Sequence, residues 1–457
     1  MKKWIVENKR AVGVLSVILA LSTIIRLWFI FNIPTLQLYD FDTYYQLAVN
    51  VATGQGYTLG GYPIAWQGML YSTALGMVFK IVGSTSLAIP KLLNVLMSEV
   101  TIIFVFALMK RLYDKPIAVW SAVGLMAFMP QQIAYCNVVG TEIETAFLLS
   151  ATLLLSTIDL KAKVKYPLLG VLTAMLALSK PFYMAYPVVL GVYKWLTEKN
   201  LKSALLQFGV VFLVMWLVIM PWTIRNYQKY DRFIPISYNS GFNLFINNNA
   251  QNVHGGWMDY HEINMPEELE AEIESQVAMN GGTVKTAYNL EVLMKPYAQK
   301  WIASNPIEFF KLGVIRTHYT YFSGAWDISA WAMNELKFDE TNSWIGPYTF
   351  QRNLNLFRAI SDITLAFVST FGCLFIFVNV WRILKNLFNK KVLLASWMLL
   401  PVINLAFISL VYFVYEGQPR YNFITLFMLI ICFGIGLEMI VSAMRNNAES
   451  GVTKAKE

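Results

Sequence analysis

Long apolar runs separated by short polar segments make up most of this sequence. A helix needs about 20 residues to cross the hydrocarbon core of a bilayer, and about ten runs reach or approach that length. They are residues 11–33, 88–110, 116–135, 142–160, 166–179, 181–196, 203–222, 357–381, 392–414 and 420–443. Because open backbone groups find no partners in lipid, the runs predict an all-α polytopic membrane protein with about ten transmembrane helices.

Composition supports a chain embedded in lipid. Of the 457 residues, 56% are hydrophobic and only 14% are charged. So few charges cannot cover the surface of a water-soluble fold of this size. The first run follows a basic start and has no small-residue cleavage site, which favours a retained first span over a removed leader.

Lysine and arginine are concentrated on one side of the predicted helices. If the N-terminus is cytoplasmic, the inner segments hold twenty of them, whereas the short outer segments hold four, namely Lys80, Lys91, Lys180 and Arg420. This bias predicts a multi-pass protein of the cell membrane with both termini in the cytoplasm. The net charge of +8 then reflects topology, so no nucleic-acid partner is needed to explain it.

Two segments are predicted to lie outside the cell. Residues 34–91 form the first outer loop, and residues 223–355 form a longer polar region with 10 basic and 14 acidic residues. A connection of that length predicts a small extracytoplasmic α-rich domain, with an acidic helix at 265–277 and an amphipathic helix on the membrane surface at 305–322. The predicted divisions are an N-terminal transmembrane module (1–222), the extracytoplasmic domain (223–355) and a C-terminal transmembrane module with a short tail (356–457).

Two acidic residues follow the first span directly. Asp40 and Asp42 are two positions apart, so in an extended segment both carboxylates point to one side, as paired metal ligands or a base and its helper require. On a helix the same spacing separates them by about 200°. The structural alternative is that Asp42 caps the N-terminus of a helix over the following residues.

Other charged residues fall at the same outer rim. They are Glu142, Lys180, Arg225, Glu416 and Arg420. Each has an ordinary explanation: a carboxylate near a helix N-terminus, a lysine reaching the interface, or an acid and a base that neutralise each other. Together, however, carboxylates beside several cations at a lipid surface suit a phosphate-bearing lipid and a hydroxyl acceptor, since a base can take the acceptor proton while cations balance the phosphate.

The order of these motifs resembles that of the GT-C superfamily of membrane glycosyltransferases, specifically bacterial relatives of dolichyl-phosphate-mannose protein mannosyltransferase and the lipid A aminoarabinose transferase. The resemblance is carried by Arg26 and by residues 39–57, 138–144, 220–245, 303–316 and 416–427. It covers most of the chain, although each motif is short.

The resemblance implies a polyprenyl-phosphate sugar donor used on the outer face, inversion at the anomeric carbon and a catalytic aspartate in the first outer loop. That aspartate corresponds to Asp42 or Asp40, and Arg225 and Arg420 fall where the donor phosphate is expected. The Asp-x-Asp spacing is also similar to that of the metal-dependent oligosaccharyltransferase branch, so a divalent cation on Asp40 and Asp42 is an alternative.

The sequence therefore predicts an inverting glycosyltransferase acting on an extracytoplasmic hydroxyl of a protein, lipid or cell-envelope glycan. Lys180 joins the two arginines as a candidate phosphate-binding residue, and the candidate acceptor- or sugar-binding residues are Glu142, Tyr57 and Glu416. A transporter or flippase of a lipid-linked sugar is the competing hypothesis, because it would use the same cations for binding only and would place ionisable residues near the bilayer centre. A non-catalytic scaffold leaves the one-sided cluster without a role.

Overall fold

A computed structural model describes residues 9–33, 35, 37–323, 328–333, 348–389 and 392–454. The regular structure in these ranges is almost entirely helical. The helices are α1 (Lys9–Asn32), α2 (Asp40–Ala52), α3 (Leu70–Val82), α4 (Ala88–Leu112), α5 (Pro116–Phe128), α6 (Pro130–Ala134), α7 (Thr141–Thr157), α8 (Ala162–Ser179), α9 (Tyr186–Glu198), α10 (Leu201–Tyr230), α11 (Ser240–Asn247), α12 (Glu267–Met279), α13 (Leu290–Ser304), α14 (Pro306–Phe322), α15 (Tyr348–Asn386), α16 (Ser396–Val414) and α17 (Phe423–Lys454).

Seven helices of the described ranges are long and apolar enough to cross a membrane. They are α1, α4, α8, α10, α16, the Asn355–Asn386 part of α15, and the Pro419–Asn446 segment that contains most of α17. The all-α polytopic fold class is thus confirmed. Helices α7 and α9 form where two further spans are predicted, but they have 17 and 13 residues, so the count of about ten spans stays a prediction.

The first outer loop folds into short elements between α1 and α4. Helix α2 is followed by two paired two-residue strands, β1 (Thr58–Leu59) and β2 (Tyr62–Pro63), and then by α3, which packs against α2. The turn between the strands is Gly60-Gly61, where φ is +57° and +85°. These left-handed values explain why glycine occupies both positions.

Four shorter helices lie in the predicted extracytoplasmic region. The acidic helix expected at 265–277 is α12, and the amphipathic helix expected at 305–322 is α14. Helix α11 packs against α13, and α14 packs against α16. This region therefore packs directly against α16, and its helices can contribute side chains to the end of the bundle that is predicted to face outwards. The three-part division of the chain stays a prediction.

One predicted span is broken. Helices α5 and α6 are bent by 47°, because Pro130 lacks an N–H group and cannot continue the hydrogen-bond ladder from Met126. The fully buried Arg26 of α1 fills the gap: its Nη2 donates to the Met126 carbonyl at 2.9 Å and its Nη1 to the Ala127 carbonyl at 2.8 Å. Glu99 of α4 lies 3.6 Å from the same guanidinium.

Replacing Arg26 should destabilise the fold. We expect Arg26→Met to lower the free energy of unfolding by about 3–5 kcal/mol, because it leaves Glu99 without its cation and two helix-end carbonyls without donors. Thermal unfolding of the purified protein in detergent measures the loss. Adding Glu99→Gln should recover part of it, whereas Arg10→Met, at an exposed position of the same helix, should have little effect. Equal melting of the Arg26 and Arg10 variants would contradict this assignment.

Candidate active site

The two aspartates of the first outer loop lie in the first turn of α2. Carboxylates are favourable there because the helix N-terminus carries a partial positive charge. The helix begins at Asp40, with Tyr39 at the N-cap position, so the alternative that Asp42 caps the helix is wrong. Because the segment is helical and not extended, the two carboxylates point to different sides.

Asp40 is the aspartate that meets the cations. Its Oδ2 accepts a hydrogen bond from Arg420 Nη2 at 2.9 Å, and its Oδ1 accepts one from Lys285 Nζ at 3.1 Å. Lys285 also donates to Thr43 Oγ1 at 2.8 Å. Burial alone would raise the pKa of Asp40, but the positive charges of Arg420 and Lys285 outweigh it and hold the pKa below the ordinary aspartate value.

Asp42 has a different environment. It is half-buried, and its Oδ2 accepts a hydrogen bond from Gln46 Nε2 one helical turn later at 2.5 Å. Across the described ranges no lysine or arginine pairs with it. Of the two candidates left open by the sequence, Asp40 is therefore the one placed beside cations.

Arg420 is held from several sides. It lies in the short helical turn Pro419–Asn422 that enters α17, and it is 9% exposed. Its guanidinium carbon lies 5.3 Å from the centre of the Phe41 ring and 5.4 Å from that of Tyr421. Such cation–π contacts favour a positive charge at a partly dehydrated position. Arg420 can therefore present a fixed charge to an anion at the outer rim.

Two further carboxylates that the sequence analysis named as candidate site residues are buried near Asp40 and Arg420. Glu416 accepts hydrogen bonds from Gln418 Nε2 and from the Tyr421 hydroxyl, the latter at 2.9 Å, and burial raises its pKa above the ordinary glutamate value. Glu142, at the start of α7, is 3% exposed and lies 3.7 Å from Lys180 Nζ. Its Oε2 atom has no hydrogen-bond partner among the residues that the structure describes.

Lys180 interacts electrostatically with Glu142, Asp40 and Arg420. Burial lowers the pKa of Lys180, Glu142 and Asp40 raise it, and Arg420 lowers it. These influences require the four side chains to share one region, because Coulomb interactions decay with distance. The structure thus brings together Asp40, Glu142, Lys180, Glu416 and Arg420, which the sequence places far apart.

Arg225 and Tyr57 belong to a separate set of contacts. Arg225 donates to the backbone carbonyls of Tyr57 and Ile64, both at 3.0 Å, and its guanidinium lies 4.6 Å from the Trp222 ring centre. The Tyr57 hydroxyl donates to the Gly68 carbonyl at 3.3 Å. These bonds fasten the first outer loop to the end of α10, and none of them joins Asp40 or Arg420. The phosphate-binding role of Arg225 and the sugar-binding role of Tyr57 stay predictions.

Sequence reasoning missed Lys285. It lies just before α13 in the extracytoplasmic region. That region has ten basic residues, and no sequence motif distinguishes Lys285 from the others. Its hydrogen bond to Asp40 joins positions 245 residues apart. The two glycines that precede it, Gly281 and Gly282, have φ of +91° and +74° and mark a tight turn, but they do not reveal what the lysine contacts.

The residues do not fit the divalent cation that the Asp-x-Asp spacing offered as an alternative. Both oxygens of Asp40 are occupied by cationic side chains, and Asp42 points elsewhere. In the described ranges no group of three or more His, Cys, Asp or Glu side chains could hold a metal ion. No step of the chemistry proposed below is therefore assigned to a metal.

The loop that carries Glu416 and Arg420 is fixed by a second buried arginine. Arg316 of α14 is fully buried and donates to the carbonyls of Phe413, at 2.9 Å, and Val414, at 3.1 Å, at the end of α16. It also donates to the side chain of Asn248. Gly417 N–H donates to the Gly255 carbonyl at 3.1 Å, which closes the loop against the extracytoplasmic region.

The structure thus combines a helical bundle with a cluster of acidic and basic side chains at one end. No family model and no curated protein matches the sequence, but solved structures match the fold. One is the archaeal oligosaccharyltransferase AglB from Archaeoglobus fulgidus in complex with an inhibitory peptide and a dolichol-phosphate, with 14% identity and a TM-score of 0.52. That match covers 98% of this chain and 52% of the other.

A second structure, of the Archaeoglobus fulgidus oligosaccharyltransferase in its apo form, has 13% identity and a TM-score of 0.52. The match covers 96% of this chain and 52% of that one, so this chain spans about half the length of the structures it resembles. The likeness supports, at the level of fold, the resemblance carried by the motifs: over nearly its whole length the chain shares the fold of the matched half of these oligosaccharyltransferase structures. Activity and substrates do not follow from the fold alone.

The tight packing around Arg316 predicts an intolerant glycine. A Cβ atom at Gly417 would lie 2.5 Å from both Cα and O of Arg316, so the backbone must move. We expect Gly417→Ala to cost about 1–3 kcal/mol of stability, as overpacking does, measured by thermal unfolding in detergent. Gly256→Ala is the control, because its Cβ would meet its nearest atoms at 3.5 and 3.6 Å, an ordinary contact. If both variants melt like the parent protein, the loop is not fixed by this packing.

Proposed function

We propose that this protein is an inverting glycosyltransferase that moves a sugar from a polyprenyl-phosphate donor to an extracytoplasmic hydroxyl group. The observation that carries the proposal is the contact of Asp40 with Arg420 and Lys285 on a GT-C fold. A carboxylate beside fixed cations supplies the two functions that such a transfer needs, a proton acceptor and a counter-charge for phosphate.

The proposed reaction is a direct displacement. The acceptor hydroxyl oxygen attacks the anomeric carbon of the donor while its proton passes to the Asp40 carboxylate. The bond between the anomeric carbon and the phosphate oxygen breaks, and its electron pair leaves with the polyprenyl phosphate. Attack from the face opposite to the leaving group inverts the anomeric centre.

Cationic side chains would stabilise the leaving phosphate. Arg420 and Lys285 lie against Asp40, and Lys180 lies within the electrostatic influence of Arg420 and Asp40. Because these charges act in a partly dehydrated region, each stabilises a developing negative charge more strongly than it would in water. Arg225 is not included, since its guanidinium is bonded to loop carbonyls.

Two buried glutamates are proposed to contact sugar hydroxyls. Within the described part of the chain, Glu142 retains an oxygen without a hydrogen-bond partner, and Glu416 lies in the loop next to Arg420. Carboxylate oxygens accept hydrogen bonds from hydroxyl groups. The partners proposed for the protein are thus the donor lipid, an extracytoplasmic acceptor and the surrounding membrane lipids, in the cell membrane with both termini in the cytoplasm.

The dolichol-phosphate in the AglB complex supports a lipid-linked donor, although that ligand is a property of AglB. A flippase would also bind such a lipid but would leave the sugar–phosphate bond intact. The buried Arg26 and Glu99 do not favour a transporter, because their bonds are made to a broken helix and to each other.

The roles of the two aspartates can be separated by substitution. We expect Asp40→Asn to reduce transfer at least about 100-fold, the usual contribution of a general base, and Asp42→Asn to retain most of it, because Asp42 contacts Gln46 and no cation. The measurement is release of free polyprenyl phosphate from a radiolabelled polyprenyl-phosphate sugar. Binding without release by the parent protein would favour the flippase, and full activity of Asp40→Asn would overturn the mechanism.

A further inference from the structure

Lys285 joins two parts of the chain at the candidate site. Its backbone carbonyl accepts a hydrogen bond from the Tyr238 hydroxyl at 2.8 Å, which anchors the segment before α13. Its ammonium reaches Asp40 and Thr43 of α2. Lys285, whose side chain is 22% exposed, thereby adds a contact between the extracytoplasmic region and the first outer loop.

The same lysine competes with catalysis as long as it stays on Asp40. Each Asp40 oxygen holds one cation, Lys285 on Oδ1 and Arg420 on Oδ2. A carboxylate in that state is a poor proton acceptor, because protonation would cost it both ion pairs. The two cations, for their part, direct hydrogen-bond donors at the Asp40 oxygens, so these donors cannot at the same time bind a phosphate.

We propose that Lys285 and Arg420 move from Asp40 to the donor phosphate during the reaction, an inference that rests on the function proposed above. They hold Asp40 while the site contains no donor, they pass to the donor phosphate when it binds, and Asp40 is thereby released to accept the proton of the acceptor. Lys285 is a positioning residue in the first state and a phosphate ligand in the second. The base is thus active only when the donor is in place.

Charge balance permits this exchange. The donor is a phosphodiester with one negative charge, so it can replace the single negative charge of Asp40 as the partner of the two cations. Among the described residues, the other charged or titratable groups that interact electrostatically with Asp40 are Tyr44 on α2, Lys180 after α8, Glu416 after α16 and Tyr421 beside Arg420. Lys180 pairs with Glu142, and Glu416 accepts a hydrogen bond from the Tyr421 hydroxyl.

The pH dependence of transfer tests the exchange. The acid limb of kcat/KM reports the free enzyme and that of kcat reports the donor complex. In the free enzyme the two cations hold the pKa of Asp40 low. In the complex the cations have left and a phosphate charge is near, so the acid limb of kcat should lie at least about one pH unit above that of kcat/KM.

Variants of Lys285 test whether this residue causes the difference between the acid limbs of kcat and kcat/KM. In Lys285→Met we expect the KM for donor to rise about 10- to 100-fold, the loss of one charge-assisted hydrogen bond. The acid limb of kcat/KM should move up towards that of kcat, and the kcat limb should stay in place. Lys285→Arg should restore the separation of the limbs. Lys300→Met, at an exposed position of α13, is the matched control and should behave like the parent protein.

A second readout does not depend on turnover. Binding of a non-reactive prenyl phosphodiester, farnesyl methyl phosphate, should be accompanied by proton uptake near the ordinary aspartate pKa of about 3.9, measured by calorimetry in buffers of different ionisation enthalpy. The uptake should be lost in Asp40→Asn and reduced in Lys285→Met.

The outcomes separate this inference from the proposed function. If the parent protein transfers sugar but the acid limbs of kcat and kcat/KM coincide, the exchange is overturned and the proposed function is not. The same holds if the phosphodiester binds without proton uptake. An equal shift of both limbs in Lys285→Met means that the lysine never leaves Asp40, and unchanged limbs with lower activity mean that its role is purely structural. Proton uptake with no transfer to any acceptor counts against the proposed function and leaves the exchange supported.

Discussion

Backbone carbonyls at the ends of broken or terminating helices have no water to bind inside a membrane protein, and the structure depends on how they are satisfied. Two fully buried arginines provide the donors, Arg26 for the end of α5 and Arg316 for the end of α16. Each comes from a different helix and therefore also joins two elements. Glu142 follows α5 and α6 in the chain, and Glu416 and Arg420 follow α16. These two arginine contacts therefore help to fix the positions of the three cluster residues.

Elements fixed in this way can hold Asp40 close to the positive charges of Arg420 and Lys285. Asp40 sits at the start of α2, where the helix dipole favours it, while Arg420 is confined by aromatic rings. Lys285 comes from a third element, the segment before α13. Because the elements that carry these side chains are held by other contacts, the proposed exchange of ion pairs does not require those elements to unfold.

Much of the helical architecture could be predicted from the sequence, because apolar runs of membrane length leave few alternatives to a helix. The broken span could not be placed at Pro130 without knowing that Arg26 satisfies the freed carbonyls. The choice between Asp40 and Asp42 depended on whether α2 began at residue 40, a boundary that pattern alone locates poorly. Lys285 and the loop contacts of Arg225 follow from tertiary packing between distant segments, for which one sequence carries no signal.

The charges of the cluster also bear on the energetics of the proposed transfer. Asp40, Glu142 and Glu416 face Arg420, Lys285 and Lys180, so the carboxylates balance the cations when all are ionised. Donor binding adds one negative charge to this balanced set. In the displacement itself Asp40 gains a proton as the leaving phosphate gains a negative charge, so the total charge of the site does not change. The costly entry of charge into a region of low dielectric is therefore confined to the binding step, where the lipid's apolar chain and the released cations can offset it. The proposed lipid-linked donor suits this site for that reason: partition of its apolar chain into the membrane would drive much of its binding, and the protein would only have to redirect charges that are already present.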